Sequence, residues 1–72
     1  RIMINNNVKK KLGKNIKNLR HKRAISQEEL SLALELDNSY IGKVENAKLN
    51  ITVDKLILIA DYFNVQVKNL FE

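Results

Sequence analysis

Three helix-start signals stand close together in this chain and limit what it can fold into. Ser26 is followed three residues on by Glu29, Asp37 leads into Asn38, and Thr52 leads into Val53. A short side-chain oxygen at such a position accepts a hydrogen bond from an N–H that a helix start leaves unpaired. Ser26 and Glu29 together make a capping box. The signals lie only eleven and fifteen residues apart, so the helices between them must be short. Short helices are held mainly by packing of an apolar face.

The apolar spacing identifies those faces. Val8, Leu12, Ile16 and Leu19 form one stripe on a first helix from about Val8 to Ala24. Arg1 to Asn7 is polar and reads as a flexible N-terminal segment. A second helix follows Ser26, with Leu30, Ala33 and Leu34 inward and Ser31 small enough for a close crossing. Asp37 is expected to cap a third helix, Asn38 to about Asn46, with only Ile41 and Val44 apolar inside it. After a loop from Ala47 to Ile51, Thr52 caps a fourth helix, Val53 to Phe63, with Leu56, Ile59, Ala60 and Phe63 inward. Asn64 suits the left-handed conformation that ends a helix. Gln66 to Phe71 forms a last turn or two that buries Val67 and Leu70. No strand-period alternation appears. The expectation is an all-α, compact five-helix domain over residues 8–72.

Composition excludes several chemistries. The 72 residues include no Cys and one His, His21, which excludes disulfides, thiolate zinc sites and His-rich metal clusters. Glu28 and Glu29 are adjacent, so they diverge on a helix and cannot work as a carboxylate pair. No Ser–His–Asp order and no Gly-rich phosphate loop is present. Neither an enzyme, a cofactor, a metal nor a small-molecule ligand is expected. No apolar run nears the roughly 18 residues of a membrane span, and a cytoplasmic location is expected.

The charge is segregated. Arg1 to Ile25 holds nine Lys or Arg and no acid, whereas Ser26 to Glu72 holds four Lys and eight acids. A basic segment of this kind suits a polyanion such as nucleic acid, or an anionic membrane surface. The pair of capped helices from about Gln27 to Asn46 makes a helix-turn-helix candidate, with a turn of three to four residues expected between them. In such a pair the first helix meets the DNA backbone and the second enters the major groove, where each base pair shows a distinct hydrogen-bond pattern.

Here the sequence resembles the Cro/repressor-like, or Xre-type, helix-turn-helix regulators. The resemblance rests on Ile25-Ser26-Gln27-Glu28-Glu29-Leu30, Ser39-Tyr40-Ile41, Val44-Glu45-Asn46 and Leu56, Ile59 and Ala60. It covers about Leu12 to Phe71 and implies a lambda-repressor-like fold. The stretch Leu36 to Tyr40, with Asn50 to Val53, looks like the controller proteins of restriction-modification operons in particular. Three positions depart from the family. Glu35 and Ala47 stand where Gly is usual, and Ile51 where Pro is frequent. A side chain in a left-handed turn costs about 1 kcal/mol.

The resemblance implies roles residue by residue. Gln27 matches a phosphate contact, and Asn38, Ser39 and Lys43 match base-reading positions. Asn pairs with adenine, Lys donates to guanine, and Ser serves either. Tyr40 suits a phosphate, a thymine methyl or simple cover for the second helix. Lys48 and Asn50 suit the DNA backbone, as do Lys14 and Lys17. Arg20 and Glu45 match a structural ion pair, expected half-buried across the first and third helices.

The implied function is a transcription regulator that binds double-stranded DNA at a near-palindromic operator as a homodimer. Leu58, Tyr62 and Phe71 are apolar residues beyond the inward face, and they mark the expected dimer interface. The alternative is an antitoxin-type interaction module that also regulates its own operon.

Overall fold

The computed structural model describes residues 5–72. Four α-helices follow one another: α1 (Asn6–Lys22), α2 (Gln27–Ala33), α3 (Tyr40–Glu45) and α4 (Val53–Phe63). A 3-10 helix, Val67–Phe71, closes the chain. The expected fifth helix is therefore a tight 3-10 turn, and among the described residues there is no strand.

α1 starts two residues before the expected Val8. The Asn5 side chain accepts from the Val8 N–H at 2.9 Å, so Asn6 and Asn7 belong to the helix rather than to a flexible leader. Arg1 to Ile4 lie outside the described residues. α1 also ends before the expected Ala24, because Ala24 itself is left-handed, with φ 56°.

That turn is one of four alike. The N–H groups of Ala24 and Ile25 reach back to the carbonyls of His21 and Arg20. Glu35 and Leu36 do the same to Leu32 and Ser31, Ala47 and Lys48 to Val44 and Lys43, and Asn64 and Val65 to Asp61 and Ala60. Each α-helix thus ends in the same paired closure around one left-handed residue. None of the four left-handed residues is glycine: φ is 58° at Glu35, 57° at Ala47 and 57° at Asn64.

The core is built from Leu12, Ile16, Leu30, Leu34, Ile41, Val44, Ile51, Leu56, Ile59, Ala60, Phe63 and Leu70. Each large aliphatic side chain so buried contributes about 2 kcal/mol. Val8, Leu19 and Val67 are half-buried. Ala33, expected inward, is exposed, and Ser31 is fully buried in the face it was to share. α1 crosses the end of α3 at Gly13, where a Cβ would stand 2.6 Å from the Glu45 carbonyl oxygen. Only glycine permits that approach. Asn15 Nδ2 donates to the Leu70 carbonyl at 2.8 Å and fastens the 3-10 helix to α1.

Candidate nucleic-acid interface

The pair α2–α3 is fastened from inside by one hydroxyl. Ser31 Oγ donates to the Gln27 carbonyl at 2.9 Å and accepts from the Ile41 N–H at 3.1 Å. The start of α2 is fixed by the capping box, Ser26 Oγ to Glu29 N–H at 3.0 Å and Glu29 Oε1 to Ser26 N–H at 2.8 Å.

The start of α3 differs from the expectation. Asp37 does not cap it, and the helix begins at Tyr40 rather than Asn38. Asp37 Oδ2 instead accepts from the Ser39 N–H at 3.1 Å and from the Ser39 hydroxyl. These bonds, the hydroxyl first, hold the Asp37 carboxyl below the usual aspartate range. The side chain closes a local turn of the kind Asp favours. Asn38 and Ser39 therefore sit in the connector, which runs from Leu34 to Ser39 and is longer than three to four residues. With its proton committed to Asp37, the exposed Ser39 hydroxyl has only its lone pairs left to offer.

An open groove runs between the start of α2 and the exposed side of α3. Gln27, Glu28, Asn38, Ser39, Gly42, Lys43, Asn46 and Lys48 line it. Gln27, Asn38, Ser39, Lys43 and Lys48 are thus brought together as the sequence expects. Asn50 is exposed but lies outside this lining. Tyr40 is half-buried and packs on the core, and that burial raises its phenol pKa. It is cover for the core more than a free contact. Glu28, Gly42 and Asn46 were not expected in the groove. Helical spacing was the available signal, because Ser39, Gly42, Lys43 and Asn46 follow at i, i+3, i+4 and i+7. Asn46 Nδ2 donates to the Gly42 carbonyl at 2.9 Å, which fixes its oxygen's direction.

The ion pair is more deeply placed than half-buried. Arg20 Nε donates to Glu45 Oε2 at 2.8 Å and Nη2 to Oε1 at 3.1 Å. The two side chains are only 9% and 3% exposed. Arg20 Nη1 donates to the Ile25 carbonyl at 2.9 Å. The Glu45 hydrogen bonds raise the Arg20 pKa further. All three guanidinium nitrogens are engaged inside the fold. Gln27 joins this network, its Nε2 donating to Glu45 Oε1 at 2.9 Å. A sequence pattern carries no signal for that contact, because it depends on how α2 sits over α3.

Elsewhere α1 is a free cationic surface, with Lys10, Lys11, Lys14, Lys17 and Lys22 exposed. Arg23 is an exception. Its Nη1 donates to the Tyr62 carbonyl at 3.0 Å, and its guanidinium lies 5.4 Å from the Tyr62 ring centroid and 5.2 Å from that of Phe63. On α4, Leu58 is 37% exposed, while Ile57 and Val53, not foreseen, reach 44% and 45%. Tyr62 and Phe71 are half-buried against the core. Among the described residues, no group of His, Cys, Asp or Glu could hold a metal ion, and no helix is long and apolar enough to cross a membrane.

This fold and groove define a class, the helix-turn-helix DNA-binding regulators of the Xre type, and the chain belongs to that family. The family's model, described as helix-turn-helix, matches residues 16–70. Within it, the chain is a transcription regulator of the control-protein type. It is 35% identical over 63 residues to control protein C.SmaI of Serratia marcescens, covering 88% of this chain and 75% of that protein. It is 30% identical over 67 residues to control protein C.MunI of a Mycoplasma species, covering 92% and 90%. The crystal structure of the restriction-modification controller protein C.AhdI from Aeromonas hydrophila superposes with a TM-score of 0.78. That match is 31% identical and covers 85% of this chain and 92% of C.AhdI.

Proposed function

We propose that this protein is a sequence-specific regulator that binds a near-palindromic operator as a homodimer and controls restriction-modification genes. The observation that carries this reading is the groove joining the start of α2 to the open side of α3. Its lining, Glu28 apart, is neutral polar or cationic. Such a surface suits the edge of a duplex, where phosphates and base edges lie side by side.

In this reading α3 enters the major groove. Lys43 donates to guanine, Asn38 pairs with adenine, and Ser39 accepts from an exocyclic amine. Gln27, Lys48 and Asn50 meet phosphates, and the α1 lysines steer the approach. Leu58, Tyr62 and Phe71, extended by Ile57 and Val53, meet their copies across a two-fold axis. The relatives are control proteins rather than antitoxins, so the interaction-module alternative is set aside. Footprinting on the DNA upstream of the chain's own gene tests the reading. Protection of two half-sites is expected, and a uniform ladder at saturating protein would contradict it.

A further inference from the structure

Gln27 differs from the other groove residues because one end of its carboxamide is already tied. Nε2 donates to Glu45 Oε1 at 2.9 Å. Glu45 cannot follow a displaced partner, because Arg20 holds both of its oxygens and its side chain is 3% exposed. The other end of the carboxamide lies over α3 at Gly42. A Cβ there would stand 3.2 Å from Gln27 Oε1 and 3.7 Å from its Cδ. The three nearest atoms to that Cβ all belong to Gln27. Gly42 has no positive φ, so its backbone does not require glycine. Glycine is also a poor residue inside a helix. What an added side chain would press on is therefore the Gln27 carboxamide, which must give by a few tenths of an ångström against its hydrogen bond to Glu45.

Resting on the DNA-binding reading above, we propose that Gly42 and Glu45 are positioning residues for the Gln27 phosphate contact. Glu45 holds one N–H of the carboxamide, Gly42 leaves the space in which it lies across the reading helix, and the second N–H is thereby aimed at the DNA backbone. Gly42 acts on DNA binding only through Gln27, whereas Glu45 also holds Arg20.

The test is a double-mutant cycle with Gly42→Ala, Gln27→Ala and the double variant in the full chain. Each is titrated against an operator duplex and a scrambled one, with a thermal melt in parallel. Both single variants should bind every duplex more weakly by roughly two- to tenfold, the range of one hydrogen bond. The salt slope should stay that of the wild type, because Gln carries no charge. Gly42→Ala should cost nothing further once residue 27 is Ala. In proton–nitrogen NMR spectra the Gln27 side-chain amide should shift in Gly42→Ala, while the backbone amides of Ile16 and Ile59 stay in place. Gly42→Ala should melt no lower than wild type, since Ala is the better helix former. An equal loss from Gly42→Ala with Gln27 present or absent would overturn the proposal. So would wild-type affinity in Gln27→Ala, with the DNA-binding reading left standing. A wild-type chain that binds no duplex would overturn both together.

Discussion

Arg20 and Glu45 meet through two hydrogen bonds, at 2.8 and 3.1 Å, across the crossing of α1 and α3. Gly13 brings the two helix backbones close at the same place. The pair therefore links the helix that carries most of the positive charge to the helix that faces the groove. Glu45→Ala strands a buried guanidinium and removes the anchor of Gln27. Breaking a buried pair from one side costs about 3–5 kcal/mol. In a domain of this size each kcal/mol moves the melting temperature by about 4–8 °C. A melting curve should therefore fall well below that of wild type. An unchanged curve would mean that water already satisfies both charges.

The four helix closures offer a gain in stability. Ala24 and Ala47 hold φ of 56° and 57°, where a Cβ costs about 1–2 kcal/mol. Glycine relieves that strain, less the entropy it adds to the unfolded chain. Ala24→Gly and Ala47→Gly should each stabilise by about 0.5–1 kcal/mol, read as a higher urea midpoint. A lower midpoint for both would show that the turns are not strained.

Asn64 was readable as a left-handed position because asparagine tolerates that conformation after an apolar stripe that stops, and Glu35 and Ala47 only through the family resemblance, which implies glycine there. Ala24 was not, since alanine is the strongest helix former and nothing in Lys22-Arg23-Ala24 marks an end. Asp37 misled for a chemical reason. The same carboxylate reaches an N–H two residues on in a turn or in a cap, and the spacing alone does not separate them. Ala33 was misplaced inward because a helix of seven residues is too short for a periodicity to fix its inner face, whereas Ser31 sits at the close crossing expected of it. Asn38, Ser39 and Lys43 were legible through the family resemblance, Gly42 and Asn46 were missed although they share the helical spacing of Ser39 and Lys43, and the Gln27–Glu45 contact exists only once α2 is docked.

Base reading and backbone contact should separate by mutation. Asn38→Ala or Lys43→Ala should relax preference at one position per half-site by about 1–3 kcal/mol. Lys48→Ala should weaken all duplexes alike and reduce the salt slope by about one. Binding titrations across single-base variants of the operator and several salt concentrations distinguish the two patterns. Equal losses on every sequence for all three variants would refute the assignment.

The exposed face of α4 should carry the dimer contact. Leu58 stands at 37% exposure beside Ile57 at 44%, and a charge placed in a closed apolar interface is left without a partner. Sedimentation at micromolar concentration should give a dimer for wild type and a monomer for Leu58→Asp. A wild-type monomer that still occupies paired half-sites cooperatively would place the pairing on DNA instead.

Selection from a pool of random duplexes tests the central claim most directly. A chain that reads bases through α3 as a two-fold dimer should enrich one near-palindromic sequence, its half-sites about one helical turn apart. The Lys43→Ala protein should enrich the same spacing with one base pair per half-site relaxed. Retention of duplexes without any shared sequence, or of none, would contradict the account.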